Sequence, residues 1–223
     1  MLKEIVVQAG GRGSRLEILT ANKPKALVPV DNLPMIFHLF KKYPDAHFKI
    51  IADYKKDVLK RYLQAFATVS YEIIEADGKG TCAGISSCLS KIPENTPFML
   101  IWCDLLLAES APNFLLDETK NYIGISKSFP CRWSFVNNQI IEEPSETNGI
   151  AGLFIFKNKN ELYDVPNEGE FVRYLAAKEI NFNVLEMNGC MEIGTMLSYF
   201  QNELNKIKSR SFNRLEFTGG VRY

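Results

Sequence analysis

The sequence predicts an α/β protein whose central sheet is mostly parallel, with a smaller antiparallel part later in the chain. In the first half, apolar runs typical of buried strands alternate with segments of helical periodicity. Two of these runs, Ile5 to Val7 and Pro97 to Cys103, have no polar side chain that interrupts them, as expected of parallel strands covered on both faces. Shorter strand-like runs follow in the second half. Because ligands of such sheets bind at the carboxyl ends of the strands, those ends are where we expect the functional residues.

Each first-half element follows from its own residue pattern. Pro34 to Tyr43 is predicted as a helix because its apolar residues share one face and its proline suits a first helical turn. Lys55 to Phe66 has the same periodicity. The other predicted elements of this half are the strands His47 to Ala52, Val69 to Glu75 and Pro97 to Cys103, and the helix Thr81 to Ile92. Their order is β-α-β-α-β, which indicates a parallel sheet with helices on both faces.

The second half contains short strands and fewer helices. Asn137 and Asn138 stand between two strand-like runs and predict a tight hairpin turn. The predicted strands are Tyr122 to Lys127, Trp133 to Val136, Gln139 to Ile141, Gly149 to Lys157 and Phe182 to Met187, and the predicted helices are Glu170 to Ile180 and Thr195 to Ile207. We therefore predict one domain over residues 1–208. The segment 209–223 is predicted as a C-terminal extension. The alternative is that this segment is the start of a truncated second domain.

Composition and charge limit the class of protein. Since 46% of the residues are hydrophobic and 23% are charged, the chain has the make-up of an ordinary globular protein. The 26 basic residues equal the 26 acidic ones, so no basic excess indicates nucleic-acid binding. Five scattered cysteines without a Cys-x-x-Cys pair argue against a disulfide framework or zinc site. With no apolar run long enough to span a membrane, we expect a cytoplasmic protein with a small-molecule ligand.

A glycine-rich loop follows the first predicted strand. Gly10, Gly11 and Gly13 lack Cβ atoms, so the backbone N–H groups of this loop can approach a phosphate chain. Two well-known phosphate loops are excluded. A Walker loop would need glycine and lysine where Arg15 and Leu16 stand, and a dinucleotide-binding fingerprint would need a third glycine at Leu16. The remaining alternative is an ordinary glycine-rich surface turn.

The complete pattern is Gly-Gly-x-Gly-x-Arg-Leu, then Leu19-Thr20, then Pro24-Lys25-Ala26-Leu27. It resembles the signature of the sugar-phosphate nucleotidyltransferases, the enzymes that make nucleoside-diphosphate sugars. The resemblance implies a Rossmann-like three-layer α/β/α fold with a smaller antiparallel sugar-binding part. It also implies that Arg15 contacts the β- and γ-phosphates of a nucleoside triphosphate, and that Lys25 lies near the α-phosphate and the attacking phosphate. The alternative for each residue is a solvated surface charge.

The resemblance implies a magnesium site. Asp104 directly follows an apolar strand, and Mg²⁺ prefers one or two carboxylates together with phosphate oxygens and water. The family takes its second carboxylate from an Asp-Ile-Gly-Thr motif, which here reads Glu192-Ile193-Gly194-Thr195. We therefore expect Asp104 and Glu192 to bind Mg²⁺ and Asp104 to be catalytic. The alternative for Glu192 is that it caps the helix that follows.

The segment from Glu75 to Thr81 resembles the loop with which this family reads the base. By that resemblance Ala9, Gly10, Gly11 and Gly13 contact the nucleotide from one side, and Glu75, Gly80 and Thr81 from the other. A carboxylate only accepts hydrogen bonds, so Glu75 would suit a base edge that presents N–H donors. Guanine and cytosine have such donors, and the sequence therefore favours GTP or CTP.

The acceptor side departs from the family pattern. Glu142 and Gly152 are the predicted substrate-binding residues, but Glu142-Glu143-Pro144 stands where the family commonly has Glu-Lys-Pro. The lysine that would meet the acceptor's phosphate is therefore absent. The acceptor is expected to be a sugar 1-phosphate or another phosphorylated compound such as a choline- or phosphonate-type one, with Lys23, Lys127 or Arg132 as the replacement cation.

These patterns predict a Mg²⁺-dependent nucleotidyltransferase that releases pyrophosphate and supplies precursors of cell-surface polysaccharides or glycoconjugates. The alternative is a catalytically weak nucleotide-binding module that regulates or scaffolds a fused partner domain. The sequence leaves open a homo-oligomer and a fused C-terminal domain.

Overall fold

The structure, a computed structural model, describes residues 2–108 and 117–205. The strands in those ranges are β1 (Glu4–Gln8), β2 (Pro29–Val30), β3 (Leu33–Pro34), β4 (His47–Ala52), β5 (Ser70–Glu75), β6 (Phe98–Trp102), β7 (Leu105–Leu106), β8 (Asn121–Ser126), β9 (Ser134–Val136), β10 (Gln139–Ile141), β11 (Gly149–Phe156), β12 (Phe182–Glu186) and β13 (Met191–Glu192). The helices are α1 (Met35–Lys42), α2 (Lys56–Phe66), α3 (Thr81–Leu89), α4 (Phe171–Ala176) and the helical residues 196–205, with 3-10 helices at Ser14–Thr20, Lys25–Leu27 and Lys159–Leu162.

A nine-stranded sheet forms the centre of the molecule. Its path runs in the order β10-β9-β11-β6-β1-β4-β5, and β8 joins β11 and β12 beside that path. Strands β6, β1, β4 and β5 are parallel. The chain leaves β1 toward β4 and β5 and then returns to β6 on the other side of β1. The carboxyl ends of β1 and β6 are therefore neighbours at a switch point, where ligands of α/β sheets bind.

Helices cover both faces of this sheet. Successive side chains of β1 point to opposite faces, so Ile5 and Val7 pack with α1 and α2 while Val6 packs with α3 and α4. All three side chains are essentially inaccessible to solvent. This is a three-layer, Rossmann-like arrangement, and the predicted fold class is confirmed.

The second half differs in one respect from the expectation. Its strands are mostly antiparallel, as predicted, and Asn137 and Asn138 form the β9–β10 turn with φ angles of 50° and 60°. The strands of the second half do not form a separate smaller unit, because β11 pairs with β6 and continues the main sheet. One further pair, β12 with β8, is parallel.

The predicted helices agree with the structure except at their ends. Two of them end three or more residues earlier than predicted, since α3 ends at Leu89 and α4 at Ala176. Among the described residues, no helix combines the length and apolarity that crossing a bilayer requires. The predicted boundary at residue 208 and the predicted extension 209–223 lie outside the described residues.

The phenylalanine cluster beside β11 gives a stability prediction. Phe154 is fully buried, with ring centroids 5.9 Å from Phe171, 6.3 Å from Phe156 and 6.4 Å from Phe182. Phe154→Ala is expected to lower the free energy of unfolding by about 3–5 kcal/mol, because it removes buried contacts and leaves a cavity. Chemical denaturation measures this change. Phe66, which is 61% exposed, is the control, and equal losses from Phe66→Ala and Phe154→Ala would contradict this account of the core.

Candidate active site

The glycine loop lies at the carboxyl end of β1 and is fixed to the neighbouring strand β4. The Ala9 N–H donates to the Ile51 carbonyl at 3.0 Å, and the Tyr54 N–H donates to the Gly10 carbonyl at 3.2 Å. Ala9 is buried beneath the loop, with 1% of its surface exposed. These bonds leave the glycines above Ala9 at the edge of the sheet.

The glycines let the loop pass close to its neighbours. A Cβ on Gly10 would lie 3.1 Å from the Cβ of Asp53. Gly13 has a φ of 66°, which favours glycine, and a Cβ there would lie 3.1 Å from the Cβ of Lys25. A Cβ on Gly11 would have no atom of the described residues within 4 Å. Gly13 therefore brings the loop close to Lys25, and Gly11 faces open space.

A cavity of about 360 Å³, here called the glycine cavity, separates this loop from the segment that precedes α3. Gly10 and Gly11 line one side, and Gly80 and Thr81 line the other. The far side is fixed by α4, since the Thr81 hydroxyl accepts a hydrogen bond from the Phe171 N–H at 2.8 Å. Four of the predicted nucleotide-binding residues thus meet around one cavity. Ala9 lies beneath it, and Gly13 lies on the side of Lys25.

Glu75 is not among the described residues that line the glycine cavity. Its carboxylate instead pairs with Lys56 and Lys60 of α2. Hydrogen bonds from these two ammonium groups lower the pKa of Glu75 to about 2. The carboxylate of Glu75 is thus engaged by α2, and its role as the base-reading residue stays a prediction from the sequence.

Four polar side chains that the sequence analysis missed line the glycine cavity, namely Gln8, Arg12, Asp53 and Lys79. The side-chain amide of Gln8 donates to the Thr81 carbonyl at 3.4 Å. Gln8 ends β1 and Asp53 directly follows β4, so the rule that ligands bind at the ends of parallel strands could have identified both.

Lys25 and Asp104 form an ion pair beside the glycine loop. Their side chains are only 11% and 9% exposed. Burial opposes the charge on Lys25, but the carboxylate of Asp104 and neighbouring acidic groups more than offset this effect, so the pKa of Lys25 lies above its ordinary value. The lysine is therefore a fixed, partly desolvated cation.

Strand pairing brings Glu192 to the same place. β13 is antiparallel to β7, and the Ile193 N–H donates to the Asp104 carbonyl at 2.9 Å. Burial and the nearby Asp104 carboxylate raise the pKa of Glu192. A guanidinium nitrogen of Arg15 lies 3.7 Å from its carboxylate. The structure thus unites Arg15, Lys25, Asp104 and Glu192 in one cluster.

The helix-cap alternative for Glu192 finds no support in the geometry. The helix at 196–205 is capped by Thr195, whose hydroxyl accepts from the Ser198 N–H at 3.1 Å. Glu192 lies in β13 and faces Asp104 and Arg15 instead.

The donor set at this cluster fits a magnesium ion. Asp104 and Glu192 are two mutually repelling carboxylates in a partly buried site, and a divalent cation between them would relieve that repulsion. Within residues 2–108 and 117–205, no group of three or more His, Cys, Asp or Glu side chains is arranged to hold a metal. Mg²⁺ commonly takes only one or two carboxylates and completes its shell with phosphate oxygens and water.

A second cavity of about 500 Å³, here called the tryptophan cavity, borders the cluster. Trp102 and Trp133 line it, together with Arg15 and Glu192 of the cluster. Gly152, a predicted substrate-binding residue, has a φ of 84°, and a Cβ there would collide with the Trp102 ring. Gly152 therefore acts through the position of Trp102, which the sequence analysis did not single out.

The wall of the tryptophan cavity contains a carboxylate oxygen without a donor. Glu170 accepts a hydrogen bond from the Trp133 indole N–H at 3.2 Å through one oxygen. Its second oxygen is buried and has no hydrogen-bond donor among the described residues. Since buried polar atoms are normally satisfied, this oxygen is suited to accept a hydrogen bond from a ligand.

The candidate replacement cations occupy different places. In the described part of the chain, Lys127 pairs with Glu186 at 2.6 Å, and neither Lys127 nor Lys23 lines the tryptophan cavity. Arg132 does line it, and pairs with Glu142. Glu142, the other predicted substrate-binding residue, does not line the tryptophan cavity. Its carboxylate forms ion pairs with Arg132 and Arg173.

Comparisons with known proteins agree with this geometry. Residues 5–122 match the MobA-like NTP transferase domain family. The chain is 25% identical to the bifunctional protein GlmU of Methanococcus aeolicus, with 83% of the chain and 50% of that protein covered. The chain thus spans about half the length of that relative.

Two solved structures illustrate the fold. A UDP-glucose pyrophosphorylase structure superposes with a TM-score of 0.73 at 16% identity, and covers 94% of this chain and 100% of that one. The CTP:phosphocholine cytidylyltransferase LicC of Streptococcus pneumoniae gives a TM-score of 0.71 at 19% identity, with 92% and 99% covered. At these identities the likeness shows a shared fold.

Proposed function

Because the chain belongs to the MobA-like NTP transferase domain family, we propose that it transfers a nucleotidyl group from a nucleoside triphosphate to a phosphorylated acceptor. An oxygen of the acceptor's phosphate forms a bond to the α-phosphorus, and the bond from that phosphorus to the α–β bridging oxygen breaks. Pyrophosphate leaves with the electron pair of that bond. The observation that carries the proposal is the cluster of Arg15, Lys25, Asp104 and Glu192, which lies beside the glycine loop and borders the tryptophan cavity.

The side chains of the cluster suit this reaction. In-line transfer at phosphorus requires positioning and neutralisation of charge more than covalent work by the protein. We assign Arg15 to the β- and γ-phosphates and Lys25 to the α-phosphate and the attacking oxygen. The N–H groups of the glycine loop bind the phosphate chain.

Asp104 and Glu192 would hold Mg²⁺, which, when bound, neutralises charge on the phosphate oxygens. The same carboxylates pair with Lys25 and Arg15. These pairs keep the two cations in place before the nucleotide binds.

The remaining question is which nucleobase the triphosphate carries. The proteins to which the chain is similar carry names with uridine, cytidine and guanine nucleotides, so these names do not decide the base and the lean toward GTP or CTP rests on the cavity. Asp53 supports that lean, because it lines the glycine cavity and is an acceptor-only carboxylate, whereas Glu75 is held by two lysines. We infer that Asp53 faces the base, and Glu75 as the base reader stays a prediction from the sequence.

A matched pair of variants separates the two carboxylates. Asp53→Asn is expected to lower discrimination among the four nucleotides by about 1–3 kcal/mol, the usual value of a specific base contact. Glu75→Gln should leave discrimination unchanged. The measurement is the ratio of kcat/KM values for the four nucleoside triphosphates. If only Glu75→Gln relaxes the preference, the sequence prediction is right and the role of Asp53 is wrong.

A screen for pyrophosphate release tests the proposed function. Each of the four nucleoside triphosphates is incubated with the protein, Mg²⁺ and a panel of phosphate monoesters that includes sugar 1-phosphates, phosphocholine and a phosphonate. We expect release that depends on one nucleotide, one acceptor class and Mg²⁺, and a product that serves as a precursor of a glycoconjugate or polysaccharide. If nucleotides bind but no combination releases pyrophosphate, the alternative of a nucleotide-binding module is favoured.

A further inference from the structure

Three cations of the site each lie against a carboxylate. Lys25 pairs with Asp104, Arg15 lies 3.7 Å from Glu192, and Arg132 pairs with Glu142. The first two cations are the ones assigned above to the phosphates of the nucleotide. Arg132 has the same arrangement but lines the tryptophan cavity, on the side where the acceptor would bind.

A second arginine makes Arg132 free to leave its partner. Arg173 donates to both oxygens of Glu142, at 2.8 and 2.9 Å. It also lies 3.9 Å from the second oxygen of Glu170, the same distance at which Arg132 lies from that oxygen. Both carboxylates near Arg132 therefore keep a cation when Arg132 moves. Without Arg173 that movement would leave Glu142 without a cation.

Arg132 and Arg173 both lie over the ring of Trp133. Its side chain is buried, with 4% of the residue exposed, and its ring lies 5.5 Å from the guanidinium carbon of Arg132. The side chain of Arg132 itself is 61% exposed. The guanidinium can thus turn toward the cavity without disrupting the core.

We propose that Arg132 exchanges its contact with Glu142 for the phosphate of the acceptor, and that Arg173 holds Glu142 in place during the exchange. The inference rests on the proposed function, since it concerns the acceptor of that reaction. Arg132 would supply the charge that Glu143 does not provide where the family commonly has lysine. The planar fork of a guanidinium binds a phosphate through two parallel hydrogen bonds, so it is a suitable replacement.

The test compares Arg132→Gln with Lys127→Gln, which removes an exposed, ion-paired cation outside the tryptophan cavity and serves as the control. Inorganic phosphate, the group common to all candidate acceptors, is titrated calorimetrically into protein saturated with Mg²⁺ and a nucleotide analogue whose α–β bridge cannot be cleaved. We expect Arg132→Gln to weaken phosphate binding by about 10- to 100-fold, Arg132→Lys by less, and Lys127→Gln by less than about threefold. Arg173→Gln should also weaken phosphate binding, but by a smaller factor than Arg132→Gln, because Glu142 then holds Arg132 more tightly. Glu142→Gln should strengthen it, because Arg132 is then no longer held by a carboxylate.

Two results from the variants would overturn the proposal. One is an unchanged dissociation constant for phosphate in Arg132→Gln, and the other is an equal loss of phosphate binding in Arg132→Gln and Lys127→Gln. Absence of phosphate binding to the wild-type protein with its nucleotide bound would also overturn it. Failure of the analogue itself to bind would instead contradict the proposed function, so the two failures are distinguishable. Thermal unfolding of each variant confirms that the protein is folded.

Discussion

Lys25→Ala is expected to lower kcat by two to three orders of magnitude. Lys25 is a buried, preorganised cation at the position where negative charge is redistributed during transfer. Removing one such group from an active site typically costs this much in rate. Steady-state release of pyrophosphate, measured well below the unfolding temperature, gives the value.

The variant should remain folded but become less stable. Asp104 would lose its cation in a site where its side chain is 9% exposed, so the free energy of unfolding without Mg²⁺ is expected to fall by roughly 1–3 kcal/mol. Lys23→Ala, two positions earlier, is the control for a general loss of positive charge. Wild-type turnover in folded Lys25→Ala, or equal losses of turnover in both variants, would remove Lys25 from the mechanism.

Asp104→Asn is expected to raise the Mg²⁺ concentration for half-maximal activity at least tenfold and to lower kcat at saturating Mg²⁺. A neutral amide is a poorer ligand for a hard cation than a carboxylate. Glu192→Gln should act in the same direction, because Glu192 faces Asp104 across the β7–β13 pair. Direct titration with Mn²⁺, followed by the loss of its free electron-spin-resonance signal, measures metal binding without turnover.

The two carboxylates are tested against each other by this titration. If Asp104→Asn weakens metal binding and Glu192→Gln does not, Glu192 is not a ligand and acts through Arg15 alone. If neither does, the metal lies elsewhere and the assignment of this cluster is wrong. Asp77→Asn, on an exposed loop outside the cluster, provides the baseline.

The sequence predicted most of the fold because the pattern of each strand and helix is local. The strand His47–Ala52 agrees with the predicted bounds, and the glycine loop lies directly after β1 as expected. Arg15 and Lys25 were predicted through the family pattern and lie with Asp104 and Glu192 in one cluster. The glycine loop and Asp104 follow the paired strands β1 and β6, so the topology brings these two parts of the cluster together, and the roles of its residues stay predictions.

The sequence did not reveal the side-chain partners that come from other elements of the fold. Glu75, at the end of β5, pairs with Lys56 and Lys60 of the preceding helix α2, and no local pattern shows that their ammonium groups reach it. In the same way, the two arginines at Glu142 come from the segment before β9 and from α4. Tertiary ion pairs of this kind depend on packing, so the sequence alone could not reveal them.

The transfer of the α-phosphorus is the central claim, and isotopic labelling tests it most directly. The protein is incubated with Mg²⁺, a phosphate-monoester acceptor and a nucleoside triphosphate labelled with ³²P at either the α- or the γ-position. We predict that the α-label appears in a new product with the acceptor and that the γ-label is released as pyrophosphate in equal amount. An α-label that stays in the bound triphosphate, or a γ-label that appears on the acceptor, would contradict nucleotidyl transfer.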